Sequence, residues 1–223
     1  MTSNQDQIFD GKPVLQFDNE HDRRSFLRTA LIVGVGAGFV GYAAGDPTSG
    51  TRSSAFAGNL AQASVQGDLD ILNYALTLEY LEADFYTQGV DGGVVSGREL
   101  DLVTPIRDHE QAHVAAITAT IKDLGGTPVK SPKFAYPNGT FTNRGTFLAT
   151  ASTFEELGVT AYHGQVTLID SVDILAAAAS IAGVESRHAA ILADLTGGDP
   201  FPSPIEASAS MGAVLKAAKP FIA

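Results

Sequence analysis

Four helical seams, each carrying a glutamate at its middle, constrain the fold of this chain more than any other feature. From Asp68 onward apolar residues recur at steps of three and four, the spacing of one helix face. The first seam runs Leu72, Leu76, Glu79, Ala83, Tyr86; the second runs Ile106, Glu110, His113, Ile117, Ile121. The third is Leu148, Ala151, Glu155, Val159, Tyr162, Val166, and the fourth is Ile174, Ala178, Ile181, Glu185, His188, Leu192. The spacing predicts helices over 68–90, 98–124, 146–168 and 171–195. Gly92-Gly93, Gly125-Gly126 and Gly197-Gly198 supply the stops. Pro105 behind Thr104 fits a first-turn position, so residues 98–103 read as a separate turn or a kinked start.

The connections decide the topology. Only Asp170-Ser171 separates the third and fourth seams, whereas residues 127–144 hold Pro128, Pro132, Pro137 and Gly139 with no periodicity. Two tight hairpins joined by a long crossover describe an all-α four-helix bundle of the one-crossover type. After Pro200, Pro202 and Pro204, residues 207–218 are amphipathic and predict a short C-terminal helix. It is expected to pack on the outside of the bundle or on a second copy of the chain, as in a homodimer. The halves also repeat. Glu79 and Glu155 lie 76 residues apart, as do Tyr86 and Tyr162; Glu110 and Glu185 lie 75 apart, as do His113 and His188. That pattern reads as an internal duplication with two-fold pseudosymmetry.

A seam faces the core, and an ionised carboxylate without a partner is costly to bury. Four carboxylates converging there repel one another unless protons or cations neutralise them, and no Lys or Arg interrupts the stripes. Two divalent cations would balance the charge. Glu and His at i, i+3 share a helix face. Nine glutamates and five histidines in 223 residues give roughly 0.2 such pairs by chance. Two are present, at equivalent positions, so the expected metal ligands are Glu79, Glu110, His113, Glu155, Glu185 and His188. Glu82, turned about 60° from Glu79, competes with it but is placed at the bundle edge or as a supporting group. Glu156 competes in the same way with Glu155. Tyr86 and Tyr162 either hydrogen-bond ligands on partner helices or simply pack the core. His109 and His163 point off the seam and read as surface or supporting residues.

Composition removes other classes. The chain has no cysteine, which excludes disulfides, thiolate metal sites and a cysteine nucleophile. A net charge of −11 argues against a nucleic-acid surface. No nucleotide-binding loop or Ser-His-Asp arrangement stands out. Residues 1–57 read as an export signal and linker ahead of one domain over 58–223. Arg23-Arg24 precede an apolar run from Thr29 to Ala44 of the twin-arginine type, with Ala55-Phe56-Ala57 a candidate cleavage site. The expected location is the periplasm or beyond, with membrane contact only through the signal.

Glu79 with Tyr86, Glu110-Gln111-Ala112-His113, Glu155 with Tyr162, and Glu185-Ser186-Arg187-His188 together resemble the ferritin-like superfamily. The residues from Leu72 through Tyr86, and from Glu155 through Tyr162, look most like its exported branch, which includes twin-arginine bacterial members and plant desiccation-related proteins. The resemblance covers about residues 68–195. It implies a dinuclear iron or manganese site rather than a storage cage, acting on a small-molecule oxidant or other substrate, or else a stress-related structural role.

Overall fold

The computed structural model describes the backbone from Ser53 to Ala223 and the side chains from Val65 onward. Arg23-Arg24 and the apolar run Thr29 to Ala44, read from the sequence as an export signal, lie outside the described residues. Five helices follow: α1 Ser53–Asp91, α2 Arg98–Asp123, α3 Arg144–Gln165, α4 Val172–Thr196 and α5 Met211–Ala218. A 3-10 turn, Lys219–Phe221, ends the chain. Among the described residues the only β pairing is a single antiparallel bridge, Phe134 with Ile222, and no helix is long and apolar enough to cross a membrane. α1 pairs with α2 and α3 with α4, and the two hairpins close into the four-helix bundle.

The boundaries follow from local chemistry. Asn143 caps α3 by accepting from Thr146 N at 2.9 Å, and Ser171 caps α4 through Ile174 N. α2 ends in a Schellman-type closure: Gly126 N donates to Ile121 O at 2.8 Å and Gly125 N to Lys122 O at 2.9 Å. Gly125 makes this turn with φ 78°, where a side chain would be strained. Three expectations are corrected. α1 begins at Ser53 rather than near 68. α2 continues through Pro105 as one helix, as the 98–124 span predicts, so residues 98–103 are its first turns and not a separate turn. α3 stops at Gln165 rather than 168, which leaves Val166 outside the seam and exposed.

Long-range hydrogen bonds lock the connections onto α1. The Asp68 carboxylate accepts from Asp170 N and Ser171 N, both at 2.9 Å, and so fixes the α3–α4 turn. Asn73 Oδ1 accepts from Val129 N at 2.7 Å, and Tyr136 donates to Asp84 Oδ2 at 2.7 Å, pinning the crossover. The C-terminal segment packs on its own chain. Val214 and Ala218 of α5 are buried, Ala209 N donates to Thr160 O on α3 at 3.0 Å, and Phe221 meets Phe154 edge-on at 4.7 Å.

Two unlike regions flank the bundle's middle. Past Glu82 on α1, Phe85 stacks on Phe147 at 4.7 Å and takes Phe154 and Tyr86 edge-on. Gly89 makes room, because a Cβ there would fall 2.1 Å from Phe147 Cε2. Before Glu79 the core is aliphatic, with Leu72, Leu76, Ile117, Ile121 and Ile174 buried.

Candidate metal centre

Each seam glutamate is fully buried, and His113 and His188 nearly so. The i, i+3 spacing on α2 and α4 aims a Glu and a His from one helix face at the same volume, while α1 and α3 each add a carboxylate across from them. His113 Nδ1 lies 3.1 Å from Glu110 Oε2, 3.2 Å from Glu79 Oε2 and 3.2 Å from Glu185 Oε1. His188 Nδ1 lies 3.0 Å from Glu110 Oε1 and 3.2 Å from Glu155 Oε2. Two overlapping quartets result, Glu79–Glu110–His113–Glu185 and Glu110–Glu155–Glu185–His188, each able to bring its ligand atoms within 4.8 Å of one another. Glu110 and Glu185 belong to both.

The tyrosines cross between the halves. Tyr86 of α1 donates to Glu155 Oε1 of α3 at 2.6 Å, and Tyr162 of α3 donates to Glu79 Oε1 of α1. Each therefore orients a carboxylate in the opposite hairpin. Burial, then the charge of Glu155 or Glu79, pushes both phenols well above their ordinary range, so both remain donors. His109 is exposed and reaches inward, its Nδ1 2.9 Å from His188 Nε2, which orients that ring from its outer side. His163 binds the Val159 carbonyl at 2.8 Å and stays away from the cluster. Glu156 is exposed and points away from the site.

Glu82 corrects the sequence reading. It is 3% exposed, not at an edge, and lies within the field of Glu185, Glu155, Glu110 and Glu79. Opposite it stands Gly158, where a Cβ would come 2.9 Å from Glu185 Oε2 and 3.2 Å from Glu82 Oε1. The 76-residue offset that pairs Glu79 with Glu155 also pairs Glu82 with Gly158. The missing side chain on α3 gives the extra carboxylate of α1 its space, and that complementarity was the available signal in the sequence.

Five carboxylates and two imidazoles cannot all carry their usual charges. Burial, then neighbouring carboxylates, pushes Glu82 well up; burial raises Glu79, Glu155 and Glu185 too, although hydrogen bonds from the histidines oppose it. Glu110 behaves differently: burial works against its anion, yet hydrogen bonds from His113 and His188 hold it at about 2. Burial likewise disfavours the imidazolium ions, but hydrogen bonds to Glu110, Glu185 and Glu79 raise His113 to about 12. Bonds to Glu110 and Glu155 raise His188 to about 10. With only the protein's own groups present, the cluster keeps its charge low by holding protons. Among the described residues no Lys or Arg pairs with these carboxylates.

The donor set fits a pair of divalent cations. Glu185 Oε2 is buried without a hydrogen-bond partner, and Glu110 Oε1 and Glu185 Oε1 have within reach only an imidazole nitrogen that other carboxylates share, which is costly unless another acceptor of their lone pairs is present. One His113 N–H cannot serve three carboxylates, whereas one cation can. Oxygen and imidazole donors suit iron or manganese, and buried Glu-x-x-His pairs on two bundle helices with single glutamates on the other two define the class of dinuclear carboxylate bundles. The chain belongs to the ferritin-like domain family, whose model matches residues 67–198. Its fold is shared with a ferritin-like, diiron-carboxylate protein from Bacillus anthracis strain Ames, at 21% identity and TM-score 0.50, covering 60% of this chain and 97% of that one. A conserved hypothetical protein from Mycobacterium tuberculosis is similar at 15% identity and TM-score 0.53, covering 64% and 99%. No curated protein matches the chain.

Proposed function

We propose that this is an exported redox protein whose core holds two iron or manganese ions and acts on dioxygen, peroxide or a substrate oxidised by them. The observation that carries the reading is the pair of quartets sharing Glu110 and Glu185, residues that would hold two ions side by side. Glu79 with His113 would complete one ion's shell and Glu155 with His188 the other's. Such a pair supplies two-electron chemistry that the side chains alone cannot. The protein's own groups do the rest. Tyr162 and Tyr86 hold Glu79 and Glu155 in orientation, His109 holds His188, and the aromatic end of the core excludes water.

The Arg23-Arg24 signal supports metal loading before export, since a twin-arginine substrate crosses folded. In the cytoplasm the bundle would avoid open competition with copper and zinc, which outbid iron and manganese for nitrogen and oxygen donors. Metal analysis of protein purified from its native compartment tests the reading: about two equivalents of iron or manganese are expected from the two quartets, and Glu110→Ala should lose both. A wild type without metal would favour a structural envelope or stress role. Arg23→Lys with Arg24→Lys should abolish export; normal export of that variant would mean another route.

A further inference from the structure

A cavity of about 60 Å³ lies inside the bundle beside the carboxylate cluster, on the aliphatic side of the core. Its α1 wall runs from Ile71 to Leu78, all before Glu79, a span of about 10 Å along the axis. The end nearest the cluster is marked by Ile117 and Ile181, each one helical turn from His113 or Glu185, and by Tyr162, whose hydroxyl reaches Glu79. The side between α2 and α4 is formed by Ala116, Thr120 and Ala177, all partly or fully exposed, so the cavity can be reached from solvent.

Two features say what such a cavity would take. The walls are almost wholly apolar, yet Gln165, 3% exposed, lines them with both amide atoms lacking any partner. Tyr74, 6% exposed, lines them too with an unpartnered hydroxyl. Buried amides and phenols without partners are costly and ordinarily find one. Gln165, which closes α3, marks the end away from the cluster, and Tyr74 stands midway along the α1 wall, where the charge of Glu82 still reaches its hydroxyl. No charged side chain lines the space. A carboxylate or ammonium head would be stripped of water there with nothing to compensate, whereas a hydroxyl can both donate to and accept from an amide. Sixty cubic ångströms holds about two to three non-hydrogen atoms, by comparison with the roughly 150 Å³ that takes a benzene.

We propose that this cavity binds a neutral aliphatic molecule with one hydroxyl head, in the manner of a short primary alcohol. The head bonds to Gln165 and Tyr74, and the tail points at the carboxylate cluster. The site stands on its own; that its occupant is the substrate class of the centre rests on the function proposed above.

The test uses the full chain and saturation-transfer NMR with ethanol, first without metal. Transfer to ethanol is expected, with acetate at equal concentration weaker by about tenfold or more because its anion is uncompensated. Ala178→Leu fills the wall, and should cut the ethanol signal by about tenfold while leaving the melting temperature unchanged or higher. Gln165→Leu should weaken the alcohol several-fold and also raise the melting temperature, because it removes an unpartnered amide. With Mn2+ bound, the ethanol methyl protons should relax faster than those on the hydroxyl-bearing carbon. No transfer in the wild type, equal transfer in Ala178→Leu, or stronger acetate binding would overturn the site. Faster relaxation at the hydroxyl end would overturn the orientation. If ethanol binds as expected but Mn2+ does not bind at all, the cavity stands, while the dinuclear reading falls together with the substrate role.

Discussion

Replacing Gly158 with alanine sets a helix preference against a carboxylate cluster, and the structure gives the size of both. Gly158 lies inside α3, so alanine there gains up to about 1 kcal/mol of backbone preference. The new methyl would stand 2.9 Å from Glu185 Oε2 and 3.2 Å from Glu82 Oε1. The closer contact is about 0.5 Å short of ordinary van der Waals distance, so the flexible carboxylate tips must move. Overpacking of this kind costs about 1–3 kcal/mol. The two effects leave the metal-free fold within about 2 kcal/mol of the wild type. Metal binding has no such compensation, because ligand positions matter to about 0.2 Å. Displacing Glu185, which serves both quartets, should weaken Mn2+ or Fe2+ binding by about 10–100-fold, as disturbed supporting contacts do elsewhere. Competition against a chromophoric chelator measures the affinity, and calorimetry of the metal-free protein measures the stability. Gly183→Ala on α4, where nothing lies within 4 Å of the new carbon, is the control: it should stabilise the helix and leave metal affinity alone. Wild-type affinity in Gly158→Ala would refute the view that Glu82, Glu185 and the vacant α3 position form one packed unit.

Raised pKa values predict that the metal-free protein is less stable at pH 8.5 than at pH 5.5. Glu79, Glu82, Glu155 and Glu185 are raised above 4.5, and His188 goes from 6.5 to about 10. Groups raised on folding contribute fully below their unfolded pKa and lose that contribution as pH climbs toward the folded value. The metal-loaded protein should show the reverse, because ions displace those protons and bind more tightly as pH rises; parallel pH dependence of the two melting temperatures would contradict the assignment. Tyr162→Phe removes the donor to Glu79 and should lower metal affinity about tenfold or more with the fold intact, measured by the same chelator competition. Asp68→Ala breaks two hydrogen bonds from one carboxylate to the α3–α4 turn. It should cost about 2–4 kcal/mol in denaturant melts; a loss under 1 kcal/mol would mean that the turn holds itself.

Residues that repeat along a helix were legible in the sequence, and residues defined by another helix were not. Every position of the second seam is buried as its spacing requires, because one periodic stripe per helix encodes burial. The same logic put Glu82 at the edge. A stripe argument treats each helix alone, whereas Glu82 is buried because α3 offers a glycine opposite it. The crossover lacks periodicity, and what orders it is a set of single side chains, Asn73, Asp84 and Tyr136, whose partners lie more than 50 residues away. The unbroken helix through Pro105 has the same origin. The local signal for a break is real, and burial of Val103 and Ile106 overrides it.

The crossed tyrosines carry a consequence for how such a molecule could arise. Each hairpin owns a Glu-x-x-His pair and a single glutamate, but the hydroxyl that steadies that glutamate comes from the other hairpin. A lone ancestral hairpin could therefore have completed this arrangement only by meeting a twin, each copy lending its tyrosine to the other. Gene fusion would then have made the partnership permanent, with the segment after α2 as the splice. Two copies sharing a chain would then be free to diverge. Glu82 facing Gly158, and His109 with Val184 at its counterpart position, are where that freedom shows.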